Sequence, residues 1–406
     1  MILARSPALL DGLRSRIATV AAVAPRTYWY LWWGTLINRL GGFVVPLLTI
    51  YLITVRHLSV SQAGGIVSVF GAGAICASLA GGYLADHLGR KPTLLISLFG
   101  GAIALTVLGL VRDVAAITVM VGVVAFVAEL YRPAVLATVA DVVPSAQRAQ
   151  AYGLLHWVIN IGFAFAAILG GLLADVDFTL LFVADAATMA IYGVIVLVAV
   201  PETRPAVAVR AAGARPSRSW LADRTFVLYV AITFAMALIP VQSAALSAHM
   251  TWQGFSPAAF GGVLAVNGVV VIALQPTVST WSARADSSRM LVIAALLYGA
   301  GFAMHGIANG VWLHAAAVMV WTMGEILEAP VRSQIVAAMA PADARGRYQG
   351  AVTMAFGGAQ LVGPTLGTWT WQHAGPGTLW AACLVVGAAV ALALFATGPA
   401  RRRRMA

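Results

Sequence analysis

Lysine occurs once in this chain, cysteine twice, and Asp, Glu, Lys and Arg together supply only 10% of its 406 residues. Each shortage closes off a class of protein. The single lysine, Lys91, is followed by Pro92, so the Lys-Ser/Thr end of a Walker phosphate loop cannot be written anywhere in the chain. Cys76 and Cys383 stand singly in apolar stretches, which leaves no disulfide framework and no metal-type spacing and reads them as packing residues. Neither a G-x-S-x-G elbow nor an H-E-x-x-H pair occurs. The expectation is a protein that is not an enzyme and not an ATP-driven pump, with no cofactor and no metal.

What is plentiful is apolar. Hydrophobic residues make up 61% and the mean hydropathy is +0.89, against about 45–50% apolar residues in ordinary soluble domains. The apolar residues come in runs long enough for helices to cross about 30 Å of hydrocarbon, without the alternation of a membrane barrel. The expected fold is an all-α membrane protein with twelve transmembrane helices. The spans read as 28–52, 64–85, 93–111, 115–139, 153–174, 180–200, 226–246, 261–278, 291–307, 311–336, 350–370 and 378–396.

The net charge of +11 first suggests nucleic acid, but its placement argues for topology. Basic residues cluster before the first span, after every even-numbered one, and at Arg401–Arg404; only Arg56 and Arg112 sit in the opposite loops. By the positive-inside rule both termini are cytoplasmic, the partner is a lipid bilayer, and no nucleic acid is expected. Residues 1–27 read as a cytoplasmic lead. A cleaved signal is the other reading of the apolar run 17–24, which is short and runs directly into Pro25 and Arg26.

Residues 201–222, rich in Arg, Ala and Pro, read as a linker between bundles at 28–200 and 223–398, with a basic tail at 399–406. Landmarks recur across it at an offset of 197 residues: Ser59 on Ser256, Gly64 on Gly261, Leu94 on Leu291, Pro133 on Pro330, Pro144 on Pro341, Arg148 on Arg345, Gly153 on Gly350 and Gly170 on Gly367. Two pseudo-symmetric six-helix bundles are expected, a parallel-repeat pattern in which transporters bind substrate near the midplane. Coincidence between bundles of similar helix length is the competing explanation.

The stretch Gly82-Tyr83-Leu84-Ala85-Asp86-His87-Leu88-Gly89-Arg90-Lys91, after the second span, resembles the G-x-L-a-D-[RK]-x-G-R-[RK] motif of the major facilitator superfamily, with His87 replacing a cation. The resemblance covers essentially the whole chain and implies a major facilitator fold in a cell (plasma or inner) membrane, commonly monomeric, working by alternating access. It also implies a gating role for Gly82, Asp86, Gly89, Arg90 and Lys91, with Asp141 where the family places an acid facing the arginine. A plain topogenic anchor would account for Arg90 and Lys91 but not for Asp86 and the glycines. In the second half, Ala283 and Ser287 replace Asp86 and Arg90. Gly153, Gly162, Gly170 and Gly171 resemble the fifth-helix motif of drug/proton antiporters, with Ala166-Ala167 where Gly-Pro is usual; Gly350, Gly363, Pro364 and Gly367 keep part of it in the eleventh span. Small residues at such spacing also serve plain helix packing.

Charges inside spans cost a few kcal/mol, roughly 2.5–3.5 on insertion scales, so they face cavities or partners. Arg39 lies on a small polar face with Thr35, Gly42 and Pro46. Glu129 and Arg132, three apart, share a face near midplane; Glu325, Glu328 and Arg332 do so in the tenth span, and Asp185 lies in the sixth. Glu129 is the expected proton carrier, with Arg132 and Arg39 as counter-charges and Glu325 and Asp185 as alternatives; permanent salt bridges are the competing reading. Asn160, Gln242, Asn267, Trp321 and Gln360 are candidate substrate-binding residues, although such a residue taken singly is more often a helix-packing contact. His156, beside Trp157, could titrate. The reading is a secondary transporter exchanging a small amphipathic substrate for protons, by resemblance an exporter. The alternatives are a proton-linked or facilitative uptake carrier for sugars or other metabolites, and a non-transporting sensor on the same fold.

Overall fold

The computed structural model describes residues 20, 22–204, 220–282, 286–341 and 345–405. Most of the expected lead and linker, and Ala283, lie outside them. Among the described residues there are fifteen α-helices and no strand. In chain order they are α1 (Arg26–Leu40), α2 (Val44–Thr54), α3 (Val60–His87), α4 (Arg90–Leu110), α5 (Val114–Glu129), α6 (Tyr131–Val142), α7 (Arg148–Val176), α8 (Phe178–Ala199), α9 (Arg224–Ala237), α10 (Ser243–Trp252), α11 (Pro257–Ser282), α12 (Ser287–Met304), α13 (Val311–Met339), α14 (Arg345–Ala374) and α15 (Pro376–Met405). Ten helical stretches among the described residues are long and apolar enough to cross a membrane. α13 and α14 are as long, at 29 and 30 residues, and are diluted by polar groups.

Fifteen helices make twelve spans because three expected spans are interrupted: α1/α2, α5/α6 and α9/α10. Each second segment, or the 3₁₀ turn Pro240–Gln242 before it, has a proline within its first three residues: Pro46, Pro133 or Pro240. Proline lacks the N–H that the carbonyl four residues earlier would accept, and its ring crowds that carbonyl. Pro330 and Pro364 sit inside α13 and α14 without ending them. Hydrophobic periodicity cannot register such a break, since the apolar run continues through it.

Scarce acids shape the loop ends. The side chains of Asp113, Asp177, Asp223 and Asp286 each accept a backbone N–H at the start of α5, α8, α9 and α12, at 2.7–3.1 Å. Each satisfies an otherwise orphan donor, worth about 0.5–2 kcal/mol.

The chain divides into two compact units. One comprises Met1–Val44 and Cys76–Ala208, the other Val45–Ile75 and Val209–Ala406. In the first, α1 packs on α7 and α8, and α4 on α5 and α8. Close approach is bought by glycine: a Cβ at Gly34 would enter the Tyr192 ring, and one at Gly162 would strike Arg39. In the second, α12 packs on α13 and α15, with Gly299 and Gly387 placing two backbones in direct contact. The start of α3 lies against α14 in this unit: Thr365 Oγ1 donates to Ser68 Oγ at 2.7 Å.

Candidate functional site

Three polar clusters carry the candidate residues. The first lies where α3 turns into α4. Gly89 has φ +115, the left-handed region that favours glycine, and a Cβ there would also collide with Glu202. The turn delivers the Arg90 guanidinium onto two acids: Nε donates to Asp141 at 2.9 Å and Nη1 to Asp86 at 3.1 Å. Nη1 also donates to the Ala85 carbonyl at 2.8 Å. Asp141 is the better sheltered acid, its side chain 18% exposed against 69% for Asp86.

Glu202, just past α8, completes this cluster. Its carboxylate accepts the backbone N–H of Arg90 at 2.9 Å and of Lys91 at 3.1 Å, and those of Thr203 and Arg204 at 2.9 and 2.8 Å. Partial burial acts to raise its proton affinity, but the N–H donors outweigh it and hold the carboxyl below the usual range. Lys91 Nζ donates to the Leu197 carbonyl. His87, which stands where the family has a cation, stacks on Tyr83 at 3.9 Å and donates Nδ1–H to its carbonyl; its ring makes no bond to Asp86 or Asp141. Gly82 faces open space, whereas Gly81 lies on the Leu130 backbone. Glu202 was absent from the sequence reading. Its signal was there, an acid in Pro-Glu-Thr-Arg at the exit of a span, but nothing in the pattern ties that exit to a helix start 112 residues earlier.

The second cluster is inside the first unit. Glu129 and Arg132 form an ion pair at 2.5 Å. Arg39 donates to the Tyr131 hydroxyl and lies 5.6 Å from that ring's centre. It does not bond Glu129, and its Nε has no hydrogen-bond partner among the described residues. Asp185, 8% exposed, makes no direct ion pair among the described residues and lies near Arg39 and the Val44 amide. The two cations and two acids balance.

The third cluster, in the second unit, does not balance. Glu328 pairs with Arg332 at 3.3 Å, and Arg332 lies over Phe356 at 4.1 Å. Glu325, one turn away, accepts from Asn267 Nδ2 at 2.7 Å, and the other hydrogen of that amide goes to Thr322 Oγ1 at 3.0 Å. Among the described residues, two carboxyls therefore share one cation.

The remaining expected residues have separate surroundings. Gln242 is buried and donates to the Leu238 and Gly363 carbonyls, a tether between α14 and the turn before α10. Gly363 and Gly367 are the small residues that admit Val241 and Gln242, with Pro364 between them inside α14. Trp321 is 7% exposed, its indole N–H without a partner among the described residues. Asn160 donates to the His156 carbonyl one turn back, and Gln360 is exposed. Gly170 and Gly171 are buried, and a Cβ at Gly153 would meet nothing.

A family model described as Major Facilitator Superfamily matches residues 31–252 and 225–405. The MFS-type transporter YqjV of Bacillus subtilis (strain 168) is 24% identical over 350 residues, 84% of each chain. A Na(+), Li(+), K(+)/H(+) antiporter of Planococcus maritimus is 24% identical over 79% of this chain and 84% of its own. The quinolone resistance protein NorA of Staphylococcus aureus (strain MRSA252) is 30% identical over 136 residues, 34% of this chain and 35% of that protein. A crystal structure of a POT family transporter superposes with TM-score 0.78 at 14% identity, covering 93% of this chain and 97% of that one.

Proposed function

The chain belongs to the major facilitator superfamily, a transporter family, and on that premise we propose that it is a proton-coupled antiporter that exports small amphipathic compounds by alternating access. The observation that carries the coupling is the unbalanced charge of the third cluster. Glu325 and Glu328 share Arg332, so one carboxyl lacks a cation in a setting where an unpaired charge is expensive. Glu325, whose hydrogen bond among the described residues comes from neutral Asn267, is the group that gains and loses the proton. Glu129, clasped by Arg132, serves as a structural pair instead, and Asp185 is the second candidate.

Export is supported by the names of two relatives, an antiporter and a quinolone resistance protein. The Arg90 cluster acts as a latch that closes in one state and opens in the other, its pairs weak enough individually to be broken each cycle. The basic loops lie in the cytoplasm. Asn160 and Gln360 keep polar surface open to a substrate, while Gln242 and Asn267 are already engaged.

Inside-out vesicles energised with an acidic interior test the reading. They should accumulate a cationic dye or drug, and collapse of the pH gradient should release it. Uptake of a metabolite by right-side-out vesicles, with no dye accumulation, would establish the uptake carrier instead. A second reading, alkali-cation/proton exchange, is favoured by the Planococcus relative together with the same excess carboxyl. Sodium-dependent proton release from the same vesicles would select it.

A further inference from the structure

The second unit also holds three buried imidazoles that the coupling scheme leaves unused. His249 lies in α10, His305 follows the last residue of α12, and His314 is in the first turn of α13; they are 3%, 0% and 0% exposed. All three sit at helix ends remote from the basic loops.

Their hydrogen bonds fix their protons. Gln253 meets the Ala308 carbonyl at 2.7 Å, and a carbonyl only accepts, so the Gln253 atom there is the amide nitrogen and its oxygen faces His314. His314 Nε2 therefore donates to Gln253 Oε1, at 2.8 Å. A neutral His314 is then bare at Nδ1, so the 2.9 Å contact to His305 Nδ1 is a bond donated by His305. His305 keeps a lone pair on Nε2, buried and without a partner among the described residues. Trp371 Nε1 can only donate, at 3.3 Å to His249 Nδ1, so His249 carries its proton on Nε2, also unpartnered.

Among the described residues, the titratable groups facing one another here are the three imidazoles alone. Around them stand rings: Trp252 from α10, Phe255 from the following loop, Phe302 from α12, Trp371 from α14 and Trp380 from α15. With no carboxylate at hand, an imidazolium in this box would be a buried unpaired cation, only partly offset by the faces of the rings.

We propose that His249, His305 and His314 form a proton-binding site, loaded at His305 Nε2 from the membrane face opposite the basic loops. Closed, the cluster is neutral: the His305–His314–Gln253 chain ties the ends of α12, α13 and α10, and a separate Trp371–His249 bond ties α14 to α10. A proton on His305 is accommodated only when water enters and the helix ends part. A group neutral when buried and free to charge when wetted favours the closed form at high pH and the open form as pH falls through the ordinary imidazole range, near about 6.5. Acid at that face thus opens that end of the second unit. The sidedness rests on the orientation proposed above; the site itself does not.

Tryptophan fluorescence of the purified full chain in detergent, titrated from pH 8 to 5, tests the site apart from transport, because imidazolium quenches adjacent indole. The expected result is a reversible fall of one-proton slope, lost in His305→Gln and His314→Gln and unchanged in Glu325→Gln. His373 stacks on Trp369 and His156 adjoins Trp157, so the titrations are run in a His156→Gln, His373→Gln background. Absence of any titration in that background, where the cluster is intact, overturns the proposal, as does an unaltered titration when His305→Gln is added to it. In proteoliposomes with separately clamped pH, a response to the Arg90 face would overturn the sidedness.

Discussion

The carboxylate of Glu202 accepts the backbone N–H of Arg90 at 2.9 Å, so an acid beyond the end of α8 caps the start of α4. The cap fixes the backbone from which the Arg90 side chain reaches Asp86 and Asp141. Glu202→Ala should lower stability by about 0.5–2 kcal/mol, the usual worth of a helix cap, read as a fall in the melting temperature of the purified protein.

The same residue sets a pH dependence. Its carboxyl is held below the ordinary glutamate value of 4.5 in the fold, so its contribution is complete above that value and is lost as pH falls through the lowered one. Melting temperature measured from pH 6 to 3 should decline in the native protein. In Glu202→Gln the decline should be shallower, and equal slopes would remove the cap from the account.

Asp86 and Asp141 should not be equivalent. The mostly exposed Asp86 belongs to the class of pairs worth about 0–1 kcal/mol, whereas Asp141 meets Arg90 with both side chains largely shielded. Asp141→Asn should reduce transport and stability more than Asp86→Asn, and the opposite order in a side-by-side assay would contradict the geometry.

Gly89→Ala should destabilise by about 1–3 kcal/mol, from the left-handed backbone alone. Contact of the new methyl with Glu202 would add to this. Thermal unfolding reads the effect, and an unchanged melt would show that the turn relaxes at little cost.

Glu325→Gln should abolish proton-driven transport while leaving substrate counterflow, since the loading step is lost and the binding step is not. Glu129→Gln should retain proton coupling, because the Glu129 carboxylate is already paired with Arg132. A loss of coupling in Glu129→Gln with coupling kept in Glu325→Gln would reverse the assignment.

How much of this was legible in the sequence follows from which interactions are local. Runs of apolar residues announced the spans, and the Asp86-to-Lys91 motif announced the turn, because both lie within a few residues of chain. Arg90 meeting Asp141 was readable only through resemblance to a family. The partner of Glu129 was legible at helical spacing; that of Glu325, Asn267 on another helix, was not. His87 shows the limit of reading by substitution. The motif has a cation at this position, yet the His87 ring stacks on Tyr83 and bonds its carbonyl, a packing role that the substitution alone did not announce.

The interruption of the fourth span falls at Leu130, between Glu129, the last residue of α5, and Tyr131, the first of α6. A continuous helix is torsionally stiff and would turn the two side chains together. Here they ride on separate lever arms joined at a pivot that Pro133 keeps from being spliced. A few degrees of rotation at that joint would change the azimuth of Tyr131, and with it the anchor of Arg39, and would strain the Glu129–Arg132 pair that bridges the two segments.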